Sequence, residues 1–274
     1  MSRSLVSILI LFILAVFNAA PLCAQGVVRR LPTEGTWSRF RLTQQVLDTE
    51  IIKKPENLPK EALDGLPRVG FAESELLIAC FGQETFERKK CRWLEYCVTA
   101  KPREIVLRLL IPEEAISNGD PFDAAVKVLF QDTSSIDGLH GEITDTKRRA
   151  YELERFRSFC PIVPKDVKRE SMSVIVQRDE GVVRGDVLRF KFAFQGKLRG
   201  GTTGTYSHAA DYCIVETEKA PFGVEQLFAL NATTIEDYGP NQLATKIHGV
   251  AQLVLLESGD KAVTRFKPVS KRPK

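Results

Sequence analysis

Residues 73–100 read ESELLIACFGQETFERKKCRWLEYCVTA, and this stretch decides the fold. Glu73–Phe86 and Cys91–Ala100 are strand-like runs, and the polar Glu87-Arg88-Lys89-Lys90 between them suits a hairpin turn. A third run, Ile105–Ile111, stops at Pro112. Short connections favour antiparallel neighbours, so the three runs predict a meander. Centring the turn between Arg88 and Lys89 sets Cys80 opposite Cys97, with Phe81 opposite Tyr96 and Ala79 opposite Val98. That register predicts a Cys80–Cys97 disulfide; a slipped register brings Cys91 toward Cys80 instead. Cys91 and Cys97 lie ~20 Å apart along one strand and cannot bond each other.

Working outward, Gly35–Val46 reads as a strand carrying Trp37, Phe40, Leu42 and Val46. Residues 53–69, with Pro55, Pro59 and Pro67, read as irregular loop. Glu113 and Glu114 after Pro112 suit the first turn of a helix, where the macrodipole favours acids. Asp120 as N-cap, Pro121 at the first helical position and the stripe Phe122, Ala125, Val126, Leu129, Phe130 predict a helix over 121–130. It docks on the sheet through Phe122, Val126, Leu129 and Phe130. Residues 131–145 read as loop, and a second helix is expected from Lys147 to Phe159 with Ala150, Leu153, Phe156 and Cys160 inward, ended by Pro161 and Pro164. Strands return over 171–177, 187–194, 205–217, 224–233 and 250–257. The glycines between Gly196 and Gly204 suit a wide hairpin loop. A phosphate-loop reading fails there, because Lys197 is not followed by Ser or Thr and strand follows instead of helix.

The chain has 274 residues, a formal net charge of +4 and both signs well mixed, which is no signature of nucleic-acid binding. Its start is informative. Arg3, an apolar run from Leu5 to Phe17, then Asn18, Pro21 and Leu22-Cys23-Ala24 before Gln25 have the layout of a secretory signal peptide over residues 1–24. A spanning helix needs roughly 20 apolar residues. An uncleaved anchor and a lipid-attached Cys23 are the other readings of this stretch. The mature chain, beginning at Gln25, is expected to be secreted or periplasmic, with a β-rich domain over 25–266. Residues 267–274 are expected to be a basic disordered tail, able to contact the envelope. Lys261, Arg265, Lys267, Lys271, Arg272 and Lys274 concentrate at that end.

Chemistry is sparse. No Gly-x-Ser-x-Gly, His-Glu-x-x-His or Cys-x-x-Cys occurs, and His140, His208 and His248 are widely spaced. No metal, cofactor or catalytic residue is expected. Cys160 has no surroundings that mark an activated thiolate for His208 to serve. Glu95 lies between Trp93 and Cys97 on one strand face. Buried, it would be a general acid; it equally suits structural pairing with Arg92, Arg103 or Arg108.

Four stretches carry a resemblance: Gly35-Thr36-Trp37-Ser38-Arg39-Phe40, Cys91-Arg92-Trp93-Leu94-Glu95, Leu110-Ile111-Pro112-Glu113 and Ala220-Pro221-Phe222-Gly223-Val224. Their order and spacing resemble an uncharacterised family of secreted bacterial proteins, itself similar to the periplasmic lipoprotein carriers, over most of residues 31–258. The resemblance implies a curved antiparallel sheet that wraps helices and holds acyl chains. It implies no catalytic residue.

The expected fold is therefore α+β: a long curved antiparallel sheet, half-barrel or barrel-like, covered by one or two helices. The expected function is non-enzymatic binding of an apolar or lipid-like ligand in the sheet concavity, walled by Phe122, Val126, Leu129 and Phe130. An envelope interaction or structural module with a filled core is the alternative, and a carboxylate-dependent hydrolase a more distant one.

Overall fold

The first hairpin turns on Glu87 and Arg88, which adopt left-handed backbone angles, φ 48° and 67°. Positive φ at both central residues matches the right-handed twist of the flanking strands. In this computed structural model the described residues are 28–53, 69–118, 122–133, 140–157, 167–176, 181–197, 204–237 and 243–267. Residues 1–24, read above as a signal peptide, and Asp120, Pro121, Cys160, Lys271, Arg272 and Lys274 lie outside them.

Eleven strands among these residues form one open antiparallel sheet. They are β1 (Trp37–Lys53), β2 (Gly70–Phe86), β3 (Lys89–Ala100), β4 (Arg103–Pro112), β5 (Lys127–Asp132), β6 (His140–Glu142), β7 (Arg169–Val176), β8 (Gly181–Lys197), β9 (Gly204–Glu216), β10 (Val224–Asp237) and β11 (Ala244–Gly259). The spatial order is β6-β5-β4-β3-β2-β1-β11-β10-β9-β8-β7. Two meanders, β1–β6 and β7–β11, thus meet where β1 pairs with β11. Two short helices complete the described fold: α1 (Glu113–Asn118) and α2 (Thr146–Arg157). The sheet and the β2–β3–β4 meander agree with expectation, as do the acids Glu113 and Glu114 in the first turn of α1.

The helix expected over 121–130 is not there. Phe122–Ala124 form a turn, and 127–132 form β5, paired with β4 and β6. The stripe fits a helix, but Val128 and Phe130 also alternate with Lys127 and Leu129 at strand period. The open edge of β4 decides between them. Pairing there satisfies backbone groups over the whole segment, beginning with Val126 N–H donating to Leu110 O at 2.8 Å. A ten-residue helix has little intrinsic stability to set against that. The helix of the second expected stretch does form. Asp145 caps α2, its carboxylate accepting the Arg148 N–H at 2.7 Å. Leu153 and Glu152 are buried on α2, whereas Ala150 is exposed.

The register of β2 on β3 overturns the disulfide. Phe86 faces Lys89, one residue earlier than a turn centred on Arg88 and Lys89. A bulge between Phe81 and Gln83 then shifts the pairing again, so Cys80 faces Leu94 and Cys97 faces Leu77. Facing residues share a side, and Leu94 and Cys97 are three apart, so Cys80 and Cys97 lie on opposite sides of the sheet. Cys80, Cys91, Cys97 and Cys213 are all free thiols. Burial pushes the Cys80 thiol up to about 11 and that of Cys97 to about 12, so neither is a nucleophile at neutral pH.

One side of the sheet carries the core. Phe40, Ile78, Leu94, Tyr96, Leu107 and Phe130 in the first meander join Leu188, Tyr212, Ile214, Leu227 and Leu253 in the second, in one apolar cluster. Both ends of the described chain tie the strands together. Arg30 donates to the carbonyls of Glu218, Ala220 and Pro221, holding the β9–β10 turn. Glu216 pairs with both Arg29 and Arg169.

Candidate functional site

The four residues expected to wall a ligand site do not share a wall. Phe122 and Phe130 are fully buried on the core side, and the Phe122 ring meets that of Tyr96 at 5.3 Å. Val126 precedes β5 and is half-buried. Leu129 faces Arg108 on the opposite, outer side of the sheet. Only Phe122 and Phe130 belong to the interior.

The core side changes character between the meanders. In the first it is built from large side chains: Ile78, Leu94, Tyr96, Leu107 and Leu109 are each 1 % exposed or less. In the second, the cross-strand rows run through small residues. Ala251 faces Ala229 and Ala229 faces Tyr212; Gly249 faces Asn231 and Asn231 faces Ala210. At Gly249 a side chain would collide with the Asn231 amide and the Gln45 carbonyl. Beside these small residues Phe190 stacks on Tyr212 with centroids 5.3 Å apart, and Phe192 is tilted against Tyr212 at 6.5 Å.

One row further on the interior becomes polar. His208 faces Thr233, and its Nδ1 lies 2.9 Å from the Thr233 hydroxyl. Both are 2 % exposed, as is Thr245 on β11. Desolvation pushes the His208 imidazole down to about 3, so it is neutral at any physiological pH. It can orient a hydrogen-bonding group, and it is not a proton acceptor near neutrality.

This burial makes a pH prediction. The unfolded histidine titrates near 6.5 and the folded one near 3, so between those values the unfolded chain holds a proton that the folded one lacks. The stabilising difference is complete above pH 6.5 and is lost as pH falls toward 3. Below pH 6, unfolding free energy is expected to drop by up to about 1.4 kcal/mol per pH unit through this residue. His208→Gln should remove that slope. Urea unfolding of both proteins at pH 7, 6 and 5 checks it; parallel slopes would refute the assignment.

The outer side of the first meander holds a charged cluster that sequence reasoning caught only in part. Glu95 is 1 % exposed and faces Arg108 across β3 and β4. The Arg108 guanidinium lies over the rings of Phe81, at 4.8 Å, and Trp93, at 5.1 Å. The other two arginines considered for Glu95 are engaged elsewhere, Arg92 with Glu113 and Arg103 with Asp132. Both Glu95 oxygens are occupied by the C-terminal segment: the Thr264 hydroxyl donates to Oε2 and the Arg265 N–H to Oε1, each at 2.6 Å. The Lys267 N–H donates to the Gln131 side chain at 2.8 Å. The segment read as leading into a basic tail is therefore strapped to the sheet at least as far as Lys267. Thr264 and Phe266 set between cations were the signal for this, since a solvated tail has no need of them.

Among the described residues no group of three or more His, Cys, Asp or Glu side chains could hold a metal ion. No helix among them is long and apolar enough to cross a membrane. No protein-family model matches the chain, and no curated protein matches it.

Proposed function

We propose that this is an exported protein of the cell envelope that holds an apolar or lipid-like ligand against the core side of its sheet and performs no catalysis on it. One observation carries the reading. The apolar side spans β1–β5 and β8–β11, while the described helices add to it only Ile116 and Leu153, with Ala115 packed against it. A sheet of that width must curl over its own apolar face or take in something that covers it. Small residues on the inner side of β9–β11 favour curling into a half-barrel, as expected of a carrier-like protein. They also carry less side-chain bulk than the first meander.

The packed-module reading has its own support. Tyr96, Phe122, Phe130 and Ile78 are buried without any guest, so the first meander is filled by its own side chains. Ala229, Ala251, His208 and Thr233 are buried as well, but the side chains of the second meander are smaller, so a ligand would enter there, beside Ala210 and the His208–Thr233 pair, by opening that packing. Carboxylate-dependent hydrolysis is the least supported reading, because both oxygens of Glu95 are taken.

Mass spectrometry of an organic extract of the purified protein, run beside titration with an apolar fluorescent probe, tests the proposal. A co-purifying lipid, or saturable probe binding weakened by Ala229→Leu, supports it. A clean extract with no probe binding to the folded protein overturns it in favour of the packed module.

A further inference from the structure

We infer that residues 261–267 form a cationic stripe on the outer side of the sheet that docks the protein on an anionic lipid surface. The inference is independent of the ligand reading, since it concerns the opposite side of the sheet.

The segment is attached mainly through its backbone. Ala262 N–H donates to Gly35 O at 2.7 Å, Arg265 N–H to Glu95 and Lys267 N–H to Gln131. Thr264 adds its hydroxyl. Gly35, with φ at 84°, is where the chain passes closest; a side chain there would strike the Asp260 carbonyl. The attachment thus runs from the start of β1, over β3, to β5. Between the anchors at Glu95 and Gln131, the outer-side residues Cys97 and Val106 are buried.

A backbone held this way turns alternate side chains inward. Ala262 and Phe266 are half-buried, and Thr264, itself exposed, turns its hydroxyl to Glu95. Lys261, Val263, Arg265 and Lys267 are exposed, Val263 at 76 %. The outward row reads cation, apolar, cation, cation. Its acidic surroundings are few: Glu95 faces Arg108, Glu75 and Glu257 share Arg39, Glu104 lies with Arg265 around the Cys97 thiol, and Asp260 precedes the row. Basic residues each strengthen attachment to an anionic bilayer, and an apolar side chain between them enters the interface. A rigid polyanion such as nucleic acid would use the cations and gain nothing from Val263, which is why lipid is the favoured partner.

Co-sedimentation of the full chain with vesicles of 70 % phosphatidylcholine and 30 % phosphatidylglycerol, against pure phosphatidylcholine, provides the test. The difference between the two removes any contribution from the apolar N-terminal run. The wild type should prefer the anionic vesicles, and the preference should fade in 0.5 M salt. Lys261→Gln/Arg265→Gln/Lys267→Gln should bind about 10- to 100-fold more weakly with unchanged melting, since only side chains that face solvent are altered. Val263→Ser should weaken binding by a smaller factor. The inference is overturned if the wild type shows no preference or if the triple variant binds as well as the wild type. Loss of binding only in Lys271→Gln/Arg272→Gln/Lys274→Gln would overturn it too. Duplex DNA competing with full effect while Val263→Ser leaves vesicle binding unchanged would replace the lipid surface with a polyanion.

Discussion

Phe122→Ala is expected to destabilise the protein by about 3–5 kcal/mol. Phe122 is fully buried, and its ring packs on Tyr96 at 5.3 Å. The residue sits in a turn whose remaining hold on the core is Ala125. Removing the ring loses its transfer free energy and leaves a cavity between β3 and the β5 approach, which a turn pinned by Val126 N–H to Leu110 O cannot close by collapse. Equilibrium unfolding in urea measures the loss. A cost below about 1 kcal/mol would mean the turn rearranges freely, and the packed first meander would need revision. The variant also bears on function. With a ligand over the second meander, probe affinity should survive Phe122→Ala at temperatures where the variant is folded.

The sheet was legible in the sequence because its strands are long and bounded by clear breaks, as at Pro112 and around Gly196–Gly204. Its register was not. A two-residue turn on Glu87 and Arg88 in place of one centred a residue later, plus a bulge near Gly82, moves the pairing by three positions. An odd shift sends Cys97 to the side opposite Cys80, and the disulfide goes with it. Nothing in the local residue types announces either event, since Glu and Arg are not the usual carriers of positive φ. The 121–130 helix failed for a related reason. Phe122, Val126, Leu129 and Phe130 satisfy the helical period, but the competing interaction, the vacant edge of β4, is visible only once the meander is assembled. The interior polar pair was hidden in the same way: His208 and Thr233 are 25 residues apart and become neighbours only through the β9–β10 register.

Glu95→Ala is expected to cost about 3 kcal/mol, the lower end of the range for stripping one partner from a buried charge pair. Two donors lose their acceptor together, the Thr264 hydroxyl and the Arg265 N–H, and the Arg108 guanidinium loses the negative charge opposite it. Two effects keep the cost from being larger. Arg108 retains the faces of Phe81 and Trp93, and the strap can swing out so that its own donors reach water. The second effect has a separate signature. With Glu95 gone, the segment beyond Asp260 should keep its anchors at Gly35 and Gln131 but lose its middle one, and trypsin should cut after Lys261 and Arg265 well before the sheet unfolds. Glu95→Gln keeps one oxygen for one of the two strap donors and should fall between wild type and Glu95→Ala in both stability and cleavage rate. Urea unfolding and timed tryptic digestion of the three proteins check this ordering. If Glu95→Ala proves as stable and as slowly cleaved as the wild type, the carboxylate does not hold the strap. The backbone anchoring that turns Lys261, Arg265 and Lys267 outward would then have to come from elsewhere.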